Sequence, residues 1–385
     1  YRRLEAVRKD GSIVSSNTST LPLKLLTEGL PARFAADFLI THFFNPPRYM
    51  PLLELVAGEA TRPEVVAEIA EFGDRVLGKG IVHCHDTPGF VANRIGTFWL
   101  QCAVKETRER GLTVEEADAV MGRPLGIPKT GVFALLDLVG LDLMPKVDGS
   151  LAATLPKDDA YQALRGDFPL LERMIAEGYT GRKGKGGFYR LNTEGGGRVK
   201  EAIDLETGDY APAAKPSLAS VSAARHGGAK ALVAHSDKGG AFAWAVMSQT
   251  LSYAAALVPE IADDVPSVDR AMRLGYNWKF GPFELLDKLG AGDVAARLKE
   301  EGRAVPPLLQ KAAEAEGFYR VEGGKLQYLT VEGGYADVVR GEGVLLLADV
   351  KLRSAPLAKN GSASLWDIGD GVACLEVHTK LNTID

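Results

Sequence analysis

The decapeptide Gly131-Val-Phe-Ala-Leu-Leu-Asp-Leu-Val-Gly140 returns further along the chain as Gly281-Pro-Phe-Glu-Leu-Leu-Asp-Lys-Leu-Gly290. Two further echoes flank it in the same order. Asp118-Ala-Val-Met121 precedes the first and Asp269-Arg-Ala-Met272 the second, while Gly187-Phe-Tyr-Arg190 and Gly317-Phe-Tyr-Arg320 follow them. One ten-residue echo is within reach of chance; three in register are the mark of a duplicated unit. The pattern around the echoes is helical. From Phe90 to Arg110 the apolar residues Val91, Ile95, Phe98, Trp99, Cys102 and Val104 keep helical spacing, and Gly111 ends the run. Thr113-Val-Glu-Glu116 opens the next helix with a capping-box pattern. The chain therefore reads as two copies of one helical domain, at residues 88–190 and 236–330. The polar stretch 191–235, with Gly195-Gly196-Gly197, Pro212 and Pro216, reads as a linker between them.

Ahead of the first copy the periodicity changes. Ile13-Val14, Phe38 to Phe44, Leu52 to Val56 and Ile81 to His85 read as strands. Pro63 to Leu77, with Val65, Val66, Ile69, Phe72, Val76 and Leu77 at helical spacing, reads as a helix. Residues 1–87 are thus expected to be the second half of an α/β domain. A dinucleotide-binding domain opens with a strand, Gly-x-Gly-x-x-Gly and a helix. No stretch fits: Gly184-Lys-Gly-Gly187 runs into Phe188-Tyr189 instead of a helix. The chain starts at Tyr1 and ends soon after the strand-like Gly371 to His378, so it is expected to be a piece of a longer protein whose glycine loop lies ahead of Tyr1.

With 385 residues the chain has length for two to three domains, and 46% hydrophobic with 25% charged residues is ordinary for a globular protein. A net charge of −5 gives no basis for nucleic acid or an anionic membrane as partner. The basic cluster Arg182-Lys183-Gly184-Lys185 could meet a phosphate locally, although a solvated loop explains it equally. The three cysteines, Cys84, Cys102 and Cys374, form neither a disulfide framework nor a metal-ligand spacing, which favours a reducing, cytoplasmic setting. In His83-Cys84-His85 alternate residues point to opposite faces, leaving two histidines where zinc takes four ligands. No apolar run is long enough to span a bilayer; Val132 to Met144 is broken by Asp137 and Asp142.

The chemistry concentrates in His42-Phe-Phe-Asn-Pro46 and in Glu54, within Leu52-Leu-Glu-Leu-Val56. Each puts one ionisable group into an apolar strand-like run, and Pro46-Pro47 breaks the chain between them. An imidazole held by a carboxylate moves protons near neutral pH; a His at a strand end also serves purely structural roles. With Ser16-Asn-Thr-Ser19 upstream and Asp86-Thr-Pro-Gly-Phe-Val-Ala-Asn-Arg94 downstream, these motifs resemble the 3-hydroxyacyl-CoA dehydrogenase family in order and approximate spacing. The tandem helical copies look like the multifunctional enzymes of fatty-acid β-oxidation, whose second copy carries no dehydrogenase site. The tail from Leu365 to Asp385 resembles the first strands of an enoyl-CoA hydratase (crotonase-type) domain.

That resemblance implies an α/β plus all-α protein: the C-terminal half of a Rossmann-type NAD-binding domain (1–87), two helical dehydrogenase C-terminal domains, and, over 331–385, a connector and the start of a crotonase-like domain. It implies NAD-dependent oxidation of a (3S)-3-hydroxyacyl-CoA to the 3-oxoacyl-CoA, with His42 as base and Glu54 orienting it. Ser19 would contact the substrate hydroxyl near the nicotinamide, Asn93 would position substrate, and Asn45 and Lys183 would reach the cofactor. Ser19 and Asn93 could each instead cap a helix. The expected partners are an acyl-CoA thioester and, for assembly, a second copy or a thiolase-containing complex. Two departures from the family stand out: about two extra residues around Ala35-Ala-Asp-Phe38, and Pro124 and Pro128 ahead of Gly131. A non-catalytic scaffold, or a short-chain 3-hydroxybutyryl-CoA dehydrogenase, are the alternative readings.

Overall fold

The computed structural model of the chain describes residues 1–193 and 197–384; Gly195 and Gly196, part of the stretch read as a linker, lie outside the described residues. The first unit contains α1 (Arg2–Glu5), β1 (Val14–Ser16), α2 (Leu23–Thr27), α3 (Ala32–Ala36), β2 (Phe38–Phe43), β3 (Leu52–Ala57), α4 (Pro63–Glu71) and β4 (Gly80–Cys84). The strands lie in the order β1-β2-β3-β4. β1 is parallel to β2, β2 antiparallel to β3, and β3 parallel to β4. β2 and β3 are apolar on both faces because both faces are covered. Phe38, Ile40, Leu52 and Val56 join the main core toward the helical part, while Leu39, Leu53 and Leu55 meet Val65 of α4 on the other side. His42 and Glu54 fall on the first of these faces by strand alternation.

The helix expected over 63–77 is α-helical only to Glu71 and continues as a π-helical turn, Phe72–Val76. Gly73 sits there with no room for a side chain: a Cβ would lie 2.7 Å from Ile81 and 2.9 Å from Leu53. The extra residues ahead of His42 fall in α3 and in Asp37, which is bonded by Arg8 and Arg62. Burial alone would raise the Asp37 carboxyl; the two guanidinium groups outweigh it and hold it below its ordinary value.

The first helical copy runs through α5 (Ala92–Glu109), α6 (Val114–Val120), α7 (Phe133–Val139), α8 (Met144–Thr154) and α9 (Pro169–Ala176) into a meander of β5 (Tyr189–Asn192), β6 (Val199–Ile203) and β7 (Tyr210–Pro212). After α10 (Ala219–Val233) the order repeats: α11 (Lys238–Ala256), α12 (Val265–Gly275), α13 (Pro282–Leu289), α14 (Ala291–Glu300), α15 (Pro307–Glu314), then β8 (Tyr319–Glu322), β9 (Lys325–Leu329) and β10 (Tyr335–Asp337). The Thr113 capping box forms as its sequence suggests.

The echoes mark matched hydrogen-bond networks. Asp118 accepts from Val132, Phe133 and Ala134 backbone N–H groups, and Tyr189 donates its hydroxyl to it at 2.8 Å. Asp269 accepts from Phe283 and Glu284 N–H and from the Tyr319 hydroxyl, again at 2.8 Å. Asp137 holds the N–H groups of Phe188 and Tyr189, and Asp287 those of Phe318 and Tyr319. Burial pushes Asp118 up to about 7 and Asp137 and Asp287 up to about 6, against the pull of these donors.

The stretch 191–235 is not a plain linker. It holds β6, β7 and α10, and Ala202, Ile203 and Leu232 are buried in the core. Pro212 lies inside β7 of this short meander, and the corresponding meander in the second copy carries that copy to Asp337. Beyond it lie α16 (Leu347–Arg353) and an antiparallel sheet of β11 (Ala358–Lys359), β12 (Ala363–Gly369) and β13 (Val372–Val377).

Candidate active site

β1 and β2 run parallel, so the segments that follow them leave the same edge of the sheet, where α/β proteins bind ligands. Residues 17–20 follow β1, and the end of β2 carries His42 and leads to Asn45. The two segments are tied together: Asn17 Oδ1 accepts from the Phe43 N–H at 2.8 Å, and the Thr41 hydroxyl donates to Ser15 Oγ at 3.0 Å. Thr20 is anchored to the helical part by the Ser150 hydroxyl of α8 at 2.8 Å.

His42 and Glu54 are direct cross-strand partners in the β2–β3 register. Their side chains meet at 2.6 Å, Nδ1 to Oε2, and both are buried, at 5% and 0% exposure. The other Glu54 oxygen, Oε1, accepts from the backbone N–H groups of Ala92 at 2.8 Å and Val91 at 3.2 Å, the start of α5. One carboxylate thus orients the imidazole and satisfies the positive end of the first helix of the helical part. With Glu54 as acceptor, Nδ1 carries the proton and Nε2 is left as the basic nitrogen.

Apolar groups close around the pair. Phe44 packs edge-on against the imidazole at 4.8 Å between centroids and Phe90 at 5.5 Å. Phe90 holds φ at +50°, a region that a bulky side chain seldom occupies outside functional sites. The Cys84 thiol is buried beside Glu54; burial, then the Glu54 charge, push it well above its ordinary value, so it stays protonated.

Ser19 lies in the bend after β1 and Asn93 at the second residue of α5, both half-buried. Neither caps a helix. The first N–H groups of α2 go to Asp86, with Leu23 N–H 2.8 Å from its Oδ1, and those of α5 go to Glu54. Asn45 is exposed at the cis peptide to Pro46. Lys183 lies on an exposed turn whose ends, Gly181 and Gly186, bridge each other and whose Arg182 N–H bonds the Asp137 carbonyl of α7. Sequence reasoning missed Phe90, whose backbone has no local signal, and Thr18, whose buried hydroxyl has no partner among the described residues. It also missed Tyr276 of the second copy, which packs against Phe44 from far along the chain.

Residues 1–87 match the family model "3-hydroxyacyl-CoA dehydrogenase, NAD binding domain", and residues 89–191 and 240–328 match "3-hydroxyacyl-CoA dehydrogenase, C-terminal domain". The chain belongs to the 3-hydroxyacyl-CoA dehydrogenase family. The family is one of oxidoreductases with NAD as cofactor. Its C-terminal-domain model matches both parts of the internal repeat. Among relatives, a "Probable 3-hydroxyacyl-CoA dehydrogenase" of Bacillus subtilis (strain 168) is 38% identical over 98% of this chain and 48% of that protein. A "Putative fatty acid oxidation complex trifunctional enzyme" of Rickettsia felis is 42% identical over 74% of this chain and 39% of that protein. The chain therefore spans about half the length, or less, of these relatives. The crystal structure of 3-hydroxybutyryl-CoA dehydrogenase from Escherichia coli shares the fold, with a TM-score of 0.58 at 21% identity, covering 81% of this chain and 77% of that one. Among the described residues no helix is long and apolar enough to cross a membrane.

Proposed function

We propose that the chain carries the proton-transfer site of an NAD-dependent enzyme that oxidises (3S)-3-hydroxyacyl-CoA to 3-oxoacyl-CoA in fatty-acid β-oxidation. The observation that carries this reading is the buried His42–Glu54 bond at 2.6 Å with the second Glu54 oxygen on the α5 N-terminus. When bound, NAD accepts the C3 hydride. His42 Nε2 takes the hydroxyl proton as the C3–O bond becomes a carbonyl, and Glu54 stabilises the imidazolium that results. Phe44 and Phe90 keep water from the ring.

Ser19 is assigned to the substrate hydroxyl and Asn93 to substrate positioning. The end of the sheet suits a nicotinamide: Asn45 is exposed there, and the Thr18 hydroxyl, without a partner among the described residues, adjoins Ser19. Lys183 is assigned to the cofactor on the family resemblance. The sheet of β11–β13 is read as part of a crotonase-type unit, supported by its strand pattern and by the trifunctional name of the Rickettsia relative. A second copy of the chain or a thiolase-containing complex is the partner that this reading entails.

The test is NADH formation by the full-length protein from NAD and a 3-hydroxyacyl-CoA. His42→Gln removes the base and lowers turnover by about 10²–10⁴-fold while acyl-CoA still binds. A near-normal rate in that variant refutes the assignment.

A further inference from the structure

The second helical copy meets the elements around the dyad at Gly275-Tyr276, where α12 ends. Three elements hold the dyad: β2 carries His42, β3 carries Glu54, and α5 supplies the N–H groups that Glu54 accepts. The Gly275-Tyr276 step touches β3, α5 and Phe44, the residue that follows β2. A Cβ on Gly275 would lie 2.7 Å from Leu52 of β3, 3.3 Å from Ala92 of α5 and 3.3 Å from the Phe44 ring beyond β2. Phe44 is the ring stacked edge-on against His42. The Tyr276 ring meets Phe44 and Trp99, each at 6.3 Å between centroids. It also lies over Gly96 of α5 so closely that any side chain there would collide with it. The next residue, Asn277, turns the chain away with φ at +54°. Burial, and after it the Glu54 charge, push the Tyr276 phenol above its ordinary value, so the group stays neutral.

We propose that Gly275-Tyr276 is a positioning wedge of the dehydrogenase site: it fixes β2, β3 and α5 relative to one another and so sets the geometry of His42 and Glu54. On this reading the duplicated copy is a working part of the site and not only a packing partner. The glycine is required because a backbone must pass where three elements converge. The aromatic ring is required because it fills the space that Gly96 leaves open. Tyr276 acts through Phe44 and α5 and has no chemical step of its own. The inference rests on the reading of His42–Glu54 as the proton-transfer pair.

The wedge is tested in the full-length protein with Tyr276→Ala, Tyr276→Leu and Tyr276→Phe. The readouts are the ring nitrogen and Nδ1 proton signals of His42 by NMR, assigned with His42→Gln, and the kinetics with NAD and a 3-hydroxyacyl-CoA. In the wild type the Nδ1-protonated tautomer and a slowly exchanging Nδ1 proton are expected. Tyr276→Ala and Tyr276→Leu lose that proton signal and mix the tautomers, and kcat falls about tenfold or more with the KM for NAD unchanged. Tyr276→Phe keeps the ring and the wild-type signals. Tyr276→Leu keeps most of the volume, so a folded protein is available if the alanine variant is not. Folded Ala or Leu variants with wild-type His42 signals overturn the wedge. Absence of turnover in the wild type would instead strike the proposed reaction, and the His42 signals would still decide the wedge.

Discussion

Replacing Glu54 by Gln tests the site through a conflict that the geometry makes unavoidable. Glu54 is wholly buried and serves three donors: the imidazole at 2.6 Å and the N–H groups of Ala92 and Val91 at 2.8 and 3.2 Å. A carboxylate can do this because both of its oxygens accept. A Gln has one acceptor and one NH₂. If its oxygen faces α5, the NH₂ faces His42, and the ring must accept at Nδ1 and carry its proton on Nε2, the nitrogen needed as base. If the amide turns over, the working tautomer returns but the NH₂ faces two backbone donors. Each donor left without an acceptor costs about 1–3 kcal/mol, together about 2–6 kcal/mol. At about 1.4 kcal/mol per tenfold, that penalty on the working orientation lowers kcat by about 30-fold to 10⁴-fold. The assay is steady-state NADH formation, paired with His42 ring nitrogen shifts. The expected signature is loss of kcat with the ring protonated on Nε2. A Glu54→Gln enzyme within threefold of wild type, with Nδ1 still protonated, would falsify this account of the site.

Other outcomes follow from the same structure. His42→Gln should cost more turnover than Glu54→Gln, since it deletes the base instead of misorienting it; the reverse order in parallel kcat measurements contradicts the assignment. Asp269→Asn and Asp118→Asn should each destabilise by about 2–4 kcal/mol in denaturant titrations, because each turns an NH₂ toward buried donors; a large cost in one copy and none in the other would break the equivalence of the repeats. Asp37 is held below its ordinary carboxyl value, so its stabilising contribution is complete above the unfolded value of about 3.9 and is lost as pH falls through the lower folded one. Thermal melts of Asp37→Asn against wild type should therefore differ at neutral pH and converge in acid. Arg94, 1% exposed, bonds Asp159 and the Tyr253 hydroxyl of α11, and Arg94→Met should cost about 3–5 kcal/mol by stranding the Asp159 charge; a change below 1 kcal/mol by calorimetry would mean that water replaces it.

The residues that sequence reasoning located share one property: their signal is local. His42 and Glu54 stand as lone ionisable groups in apolar strand runs, and β2 and β3 form where those runs were read, with the two residues opposite one another. The duplication was legible because its echoes contain acids that each copy needs for its hydrogen bonds, Asp118 with Asp137 and Asp269 with Asp287. The meander over 189–212 was hidden, because its strands are short and their turn residues resemble a linker. The cap of α5 was also hidden. Asn93 and Ser19 are good capping residue types, yet carboxylates distant in sequence, Glu54 and Asp86, take those N–H groups. Tyr276 had no local mark at all; its meaning depends on Gly96 leaving space for its ring.

The two-sided bond of Glu54 joins matters that are usually separate. Its Oε2 belongs, on the proposed function, to the chemistry and its Oε1 to the seam between sheet and helices. Any hinge motion that draws α5 away from β3 strips Glu54 of two donors, and the freed carboxylate no longer has a fixed direction in which to hold the imidazole. On the proposed mechanism, docking of the helical half and readiness of the base are consequently one equilibrium: the site would be armed with the two halves seated and disarmed with them apart.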